Sequence, residues 1–295
     1  MIRLNRGPQW MVYNNFQCKK LSSFFKSSAV STAGAEEASA VMAEVAVRTG
    51  ISLTSSEDSG GGTGRKGGVD AAAPWHAKTS PAEVLMRYRD AVACRIAHGR
   101  PFPAGLDAEL FRKVNGAATR AICGAFQGGV DAPPETRKLA LGLATGRFLH
   151  HILDVMEYSA SPANDRPPWA LIDNHPQPEA GSISPKMFLY SGHDWTLMPL
   201  LMALRPRYGL SSDDGANSKW ADFAADLAFE AYVEGAGAER EIWCRVLFKG
   251  KVIDLPVSEG RADGVCSVKA LRGWFAGEGL LMGDVKRWNE LCKAG

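Results

Sequence analysis

Residues 186–204 read KMFLYSGHDWTLMPLLMAL, in which a short apolar run precedes a polar turn and a longer apolar run follows it. The four residues 187–190 are of strand type, and the run from Trp195 onward has the length and hydrophobicity of a buried helix. In an open α/β sheet, ligands bind beyond the carboxyl ends of strands, where a helix N-terminus presents amides to an anion. The stretch therefore predicts a strand, a ligand-binding turn at residues 191–194 and a helix.

The turn contains an adjacent histidine and aspartate, His193 and Asp194. An imidazolium can pair with phosphate oxygens, and a carboxyl group can protonate a leaving oxygen. The competing interpretation is that Asp194 only caps the helix and that His193 only packs. Four residues alone do not decide between the two interpretations.

Hydrophobic periodicity and end signals predict the other elements. Ser80 and Glu83 form a capping box with proline between them at the first helical position, and a Lys249-Gly250 turn separates two strand-type runs. The predicted helices and strands interleave, so we predict an α/β chain. In chain order, the predicted elements are helices over 31–50, 80–99, 107–126 and 135–158, and strands over 187–190, 227–233, 242–248 and 252–255.

Composition shifts divide the chain into segments. The stretch 62–67 reads GTGRKG and matches a dinucleotide-binding pattern, but it has no strand before it and no helix after it, so we interpret it as linker. The expected segments are a basic N-terminal segment over 1–30, a helix-containing segment over 31–54, a flexible insert rich in Gly, Ser and Ala over 55–79, a helical subdomain over 80–160, and a C-terminal α/β part over 161–295 that carries the His-Asp pair.

The overall composition excludes several classes of protein. Of the 295 residues, 45% are apolar and 22% charged, which is typical of a globular chain and not of a collagen-like, coiled-coil or wholly disordered one. The 34 basic residues nearly balance the 32 acidic ones, so charge does not predict a nucleic-acid partner. The sequence contains no apolar stretch of about 20 residues, so hydropathy does not predict a transmembrane helix. The basic, acid-free start is typical of an organelle transit peptide, and the compartment stays open.

The remaining histidines and the cysteines form no pattern typical of a metal site. His150 and His151 are adjacent on one predicted helix and point about 100° apart, so they cannot chelate one ion together. His98 ends a helix, Arg147 fits a helix surface, and His175 stands in a Pro-rich loop. The six cysteines lack a C-x-x-C pair and permit disulfides without requiring them. We therefore predict neither a metal site nor a bound cofactor.

Several segments together resemble the C-terminal half of the histidine acid phosphatases, which form branch two of the histidine phosphatase superfamily. The similarity is strongest to the lysophosphatidic acid phosphatase and 2-phosphoxylose phosphatase type. The segments are KMFLYSGHDWTLMPLLMAL at 186–204, KWADFAADLAFEAYV at 219–233, WCRVLFKGKVIDLP at 243–256, VKALRGWF at 268–275 and RWNELC at 287–292.

The resemblance implies a fold and an activity. The fold is a histidine-phosphatase-like α/β sandwich, with a mostly parallel sheet around residues 187–190 and a helical subdomain. The activity is metal-free hydrolysis of a small phosphomonoester, such as a lysophospholipid or a phosphosugar, through a phosphohistidine. In this scheme His193 contacts the phosphate and Asp194 is the general acid.

The sequence departs from this family at the nucleophile. The family's Arg-His-Gly-x-Arg-x-Pro block does not occur, and the nearest string, at Ala97-His98-Gly99-Arg100, lacks the first arginine and ends a predicted helix. We therefore expect a chain that is N-terminally truncated and begins partway through the domain. The alternative is a non-catalytic family member that binds a phosphorylated ligand or a protein partner. The oligomeric state stays open.

Overall fold

The computed structural model of the protein describes residues 18–29, 32–51, 80–129, 132–161, 187–204, 220–236, 239–258 and 263–293. In chain order, the helices in these ranges are α1 (Lys19–Ala29), α2 (Thr32–Thr49), α3 (Pro81–Ala97), α4 (Ala108–Phe126), α5 (Pro134–Ala160), α6 (Asp194–Leu204), α7 (Val268–Gly277) and α8 (Val285–Lys293). The strands are β1 (Leu227–Glu234), β2 (Glu241–Phe248), β3 (Lys251–Val252) and β4 (Cys266–Ser267).

The chain divides into two compact units. One unit, Phe24–Ala132 with Arg207–Trp220, contains α2, α3 and α4. The other, Met1–Ser23, Pro133–Pro206 and Ala221–Gly295, contains α5 to α8 and the sheet.

Helix starts in the first unit follow the capping signals of the sequence. The Ser80 hydroxyl accepts the Glu83 N–H at 3.2 Å, and the Glu83 carboxylate accepts the Ser80 N–H at 3.1 Å. This reciprocal pair confirms the predicted capping box, with Pro81 at the first helical position. Asp107 caps α4 in a similar way, through a 2.8 Å bond from the Leu110 N–H.

The three helices of this unit pack against one another, each contacting the other two. Their apolar faces are buried, and two ion pairs link α2 to α4 at the edge of the interface: Glu44 with Lys113 at 2.9 Å, and Glu37 with Arg120. Exposed ion pairs contribute little, so burial of the apolar stripes holds the unit together. Its fully buried side chains include Leu85, Leu110, Ile122 and Phe126.

Helix α5 is the centre of the second unit. It is 27 residues long and contacts α6, α7 and β1, while α7 also packs on β2 and β4. Two glycines of α5, Gly142 and Gly146, face the backbone that follows α7 at residues 279–282. A disulfide between Cys18 and Cys292, which are 274 positions apart, joins the start of α1 to α8.

Strand β2 is the centre of the sheet. It pairs with β1 along its full length and with the two short strands β3 and β4 on its other edge, and all of these pairings are antiparallel. Lys249 and Gly250 connect β2 to β3 with φ angles of 52° and 70°. Two consecutive positive φ angles are the signature of a tight hairpin turn, so the predicted turn is confirmed.

The expectation of a mostly parallel sheet is not supported. Short connections join β1 to β2 and β2 to β3 and so favour antiparallel pairs, whereas a parallel pair needs a crossover of about a dozen residues or more. Residues 187–190 are not paired with any strand within the described ranges, and Met187 and Leu189 are 72% and 74% exposed. The chain is mixed helix and sheet, which is compatible with an α/β class.

Other sequence predictions have clear outcomes. The helices predicted over 31–50, 107–126 and 135–158 are confirmed within about two residues at each end. Helices α1, α7 and α8 and strand β4 were not predicted from periodicity. Among the described helices, none combines the length and the apolar character needed to cross a membrane.

The close approach at Gly146 leads to a stability prediction. A Cβ atom at this position would lie 2.1 Å from the Leu280 carbonyl oxygen, so Gly146→Ala forces the backbone after α7 away from α5. We expect a loss of about 2 kcal/mol in the free energy of unfolding, measured by urea denaturation followed by circular dichroism.

Gly273→Ala is the matched control, because Gly273 is also inside a helix and an added Cβ there meets no atom within 4 Å. This variant should be stabilised by up to about 1 kcal/mol through helix propensity. Equal effects of the two substitutions would show that the packing at Gly146 does not matter.

Candidate functional site

The predicted His-Asp pair lies at the N-terminus of α6. The His193 carbonyl accepts the N–H groups of Thr196 at 2.9 Å and Leu197 at 3.2 Å, so His193 is the last residue before the helix. The Asp194 carboxylate accepts the Trp195 N–H at 2.8 Å. The positive end of the helix dipole therefore points toward this pair, which favours an anion.

Gly192 lets the turn close tightly over the start of the helix. A Cβ atom on Gly192 would lie 3.0 Å from the Thr196 hydroxyl oxygen, so this position favours the smallest residue. His193 is exposed and Asp194 is half-buried. Solvent and a dissolved anion can therefore reach the imidazole of His193.

The segment before the turn is extended and lies on α5. Phe188 packs against Val155 and Tyr158 of that helix, whereas Met187 and Leu189 are exposed. This alternation is the period of two that the sequence predicts for a strand. The predicted strand over 187–190 is not formed in the described part of the chain, and the alternation ends at Leu189 because Tyr190 is 43% exposed as well.

Tyr190 anchors the end of this segment to α5. Its hydroxyl and Nε2 of His151 are hydrogen-bonded at 2.7 Å, and its ring meets the Phe148 ring edge-on with centroids 5.1 Å apart. Burial of the phenol end raises the pKa of Tyr190 to about 12, so the hydroxyl is protonated at neutral pH. Because Tyr190 is three residues before His193, this anchor fixes where the turn starts.

An ionic cluster ties α5 to α7 on the same unit. The Arg272 guanidinium donates to Asp154 at 2.8 Å and to Glu157 at 2.9 Å, and Nδ1 of His150 is 2.9 Å from the other Asp154 oxygen. Burial raises the pKa of Asp154, but the hydrogen bonds from His150 and Arg272 outweigh it and hold that pKa below its ordinary value. The cluster thus keeps Asp154 ionised.

The other sequence candidates have structural roles or lie outside the described residues. A Cβ on Gly283 would be 2.5 Å from Nε2 of His150, so this ring nitrogen faces backbone and is not open to a phosphoryl group. The Arg147 guanidinium lies over the Trp288 ring at 5.5 Å. His98 caps α3 through its backbone N–H and is exposed. The glycine-rich stretch at 62–67 and His175 lie outside the described residues.

Sequence reasoning missed the residues that support the turn. His151 and Tyr190 are 39 positions apart, and Arg272 is 118 positions from Asp154, so neither contact leaves a local pattern. The one local signal was the i, i+4 spacing of His150 and Asp154, which is typical of an ion pair on a helix. In the ranges that the structure covers, no three His, Cys, Asp or Glu side chains are grouped as metal ligands.

Comparison with curated proteins finds a partial similarity to a phosphatase. The chain is 31% identical over 130 residues to the lysophosphatidic acid phosphatase type 6 of Bos taurus, a match that covers 43% of this chain and 23% of the relative. The chain thus spans less than a quarter of the length of the curated relative that it matches. No family model matches.

The Asp154 cluster predicts a pH dependence of stability. Because the folded-state pKa of Asp154 is below its ordinary value of 3.8, ionisation of this group stabilises the fold above that pH and the contribution is lost as pH falls through the folded-state pKa. Asp154→Asn should therefore cost about 1–2 kcal/mol of unfolding free energy at neutral pH, and less in acid below pH 3.8. Urea denaturation of both proteins across this range measures the difference.

Asp222→Asn is the control for this experiment. Asp222 pairs with Lys249 at 2.5 Å, but its side chain is 60% exposed, so solvent screens the pair and its removal should change stability little. The interpretation of the Asp154 cluster is wrong if the two variants lose the same stability at every pH.

Proposed function

We propose that this chain carries part of a phosphomonoesterase site of the histidine acid phosphatase type. In this proposal His193 contacts the phosphate and Asp194 is the general acid. The observation that carries the proposal is the position of the pair, an exposed imidazole beside a carboxylate at the N-terminus of α6. The partial similarity to a protein named as a lysophosphatidic acid phosphatase supports this choice of chemistry.

The proposed chemistry assigns one task to each group. The imidazole of His193 donates a hydrogen bond to a phosphoryl oxygen, and the dipole of α6 stabilises the negative charge. Asp194 in its protonated form gives a proton to the oxygen that leaves as an alcohol. The substrate is a small phosphomonoester such as a lysophospholipid or a phosphosugar. A nucleophilic histidine from an Arg-His-Gly block, which this sequence does not contain, would form the phosphohistidine that water then hydrolyses.

The second candidate function is binding without turnover. It is favoured by the Asp194 carboxylate, which accepts the Trp195 N–H and so acts as part of the helix cap in this structure. With no nucleophile in the family pattern, the same turn would retain a phosphorylated ligand or a partner protein. The two candidates share the anion site at His193 and differ in whether a phosphate ester is cleaved.

The shared anion site has a direct test. Titration of the chain with inorganic phosphate, followed calorimetrically, should give a dissociation constant that rises about tenfold in His193→Ala, because one charge-assisted hydrogen bond is removed. His98→Ala is the matched control, since His98 is also exposed and adjoins a helix end. Unchanged phosphate affinity in His193→Ala would exclude both candidate functions.

Turnover then separates the two candidates. Release of p-nitrophenol from p-nitrophenyl phosphate by this chain, abolished in Asp194→Asn while phosphate still binds, would support the phosphatase. Phosphate binding with no turnover would leave the binding function for this chain. The transcript and genomic sequence ahead of the Met1 codon should be read with this result, because an in-frame Arg-His-Gly-x-Arg-x-Pro block there would supply the nucleophile.

A further inference from the structure

Cys244 and Cys266 lie directly opposite each other on β2 and β4. Their sulfur atoms are 3.7 Å apart. Directly opposed residues of antiparallel strands have Cα atoms about 4.5 or 5.5 Å apart, and disulfides form at Cα separations of about 4.4–6.8 Å. The backbone register therefore already meets the distance that a disulfide requires, and a side-chain rotation closes the remaining gap.

We propose that Cys244 and Cys266 form a second disulfide of this protein, which joins β4 to β2 by exchange with a small disulfide such as glutathione disulfide. The proposal goes beyond the proposed phosphatase function and does not depend on it.

The exchange proceeds in two steps. The Cys266 thiol gives its proton to water, and its thiolate attacks one sulfur of glutathione disulfide, which breaks the S–S bond and releases one glutathione thiolate. Cys244 then loses its proton and attacks the Cys266 sulfur of the mixed disulfide, which releases the second glutathione. The two cysteines lose two electrons and two protons, and the glutathione disulfide is reduced to two glutathione thiols.

The environment of the pair orders these steps. Cys266 lies on the two-residue strand β4, whereas Cys244 lies on β2, which pairs with β1 along its full length, so Cys266 is the thiol that an opening of β4 exposes first. Both residues are almost fully buried in the folded chain. Exchange therefore takes place before β4 closes on β2, or when this two-residue strand separates for a short time.

The surroundings of the other cysteines differ from those of this pair. The structure already contains one disulfide, Cys18–Cys292, in the same unit of the chain. Cys94 is exposed, and Cys123 is buried with its pKa raised to about 12 by burial. Cys244 and Cys266, by contrast, are held face to face by strand pairing.

The bond would fix the start of α7. Ser267 follows Cys266 directly, and its hydroxyl caps α7 by accepting the Ala270 N–H at 3.1 Å. Helix α7 carries Arg272, which binds the Asp154 cluster on α5. A covalent link at Cys266 therefore closes the loop between β2 and β4 and secures the helix that packs on α5.

A peptide map tests the proposal. The reduced, unfolded full chain is refolded in glutathione buffers with increasing glutathione disulfide until the Cys18–Cys292 bond is complete, then alkylated and digested with trypsin without reduction. Trypsin places Cys244 in EIWCR (241–245) and Cys266 in ADGVCSVK (262–269). We expect these two peptides as one cross-linked species that lacks two hydrogens relative to their sum.

The outcomes of the map are decisive because Cys18–Cys292 is an internal control for oxidation. Alkylated Cys244 and Cys266 in protein that contains that bond would overturn the proposal, as would a cross-link from either cysteine to Cys123. The Cys94 peptide, DAVACR at 90–95, should be alkylated or glutathionylated in every sample. In Cys266→Ser the cross-linked species should disappear while the Cys18–Cys292 species stays.

Thermal melting gives a second measurement. The double variant Cys244→Ala/Cys266→Ala is compared with the wild type under oxidising and under reducing conditions. Reduction opens Cys18–Cys292 in both proteins. The difference in melting temperature between the wild type and the double variant is therefore compared under the two conditions, and the change in that difference is due to the second bond. Closing a loop between residues 22 apart should make this difference in melting temperature about 5 °C larger under oxidising than under reducing conditions. The same difference in melting temperature under both conditions would contradict a stabilising disulfide between Cys244 and Cys266.

Discussion

The hydrogen bond between Tyr190 and His151 holds the candidate site in place. It joins the end of the extended segment 187–190 to α5, and the turn that carries His193 begins at the next residue. Phe188 adds apolar contact with the same helix, so the segment is fixed by one polar and one apolar anchor. Because the turn leads directly into α6, these anchors also set the position of that helix N-terminus, on which the proposed anion binding depends.

Helix α5 can serve as this support because its other faces are fixed as well. Arg272 on α7 holds Asp154 and Glu157, and Gly146 lets the backbone after α7 approach closely. Each contact is modest alone, since a hydrogen bond to a charged group contributes about 1.5–3 kcal/mol. Together these contacts hold α5 against α7 and the backbone that follows it. The sheet also supports α5, because β1 contacts α5 directly and α7 packs on β2 and β4. The site thus rests on packing that is remote from it in sequence.

The structure supports anion binding at the turn, and the comparison supports the choice of phosphatase chemistry. The geometry gives an exposed imidazole and a half-buried carboxylate at a helix N-terminus, which fits an anion of any source. We propose that the anion is a phosphomonoester because of the similarity to a lysophosphatidic acid phosphatase. That match covers 23% of the relative. The bond from the Trp195 N–H to the Asp194 carboxylate favours the binding function, and a phosphatase would need this carboxylate to leave the cap and deliver a proton.

Local chemistry in the sequence determined the helix starts and the turns. Ser80 with Glu83, Asp107 and the Lys249-Gly250 turn are local signals, because each depends on residues within a few positions of one another. The sequence also located the helix N-terminus that carries the candidate pair. Only the tertiary structure decided the pairing of β4 with β2, the Cys18–Cys292 disulfide, the contact between Cys244 and Cys266, and the partners of His151 and Arg272. These join residues far apart in the chain, and periodicity carries no record of which distant residue meets which.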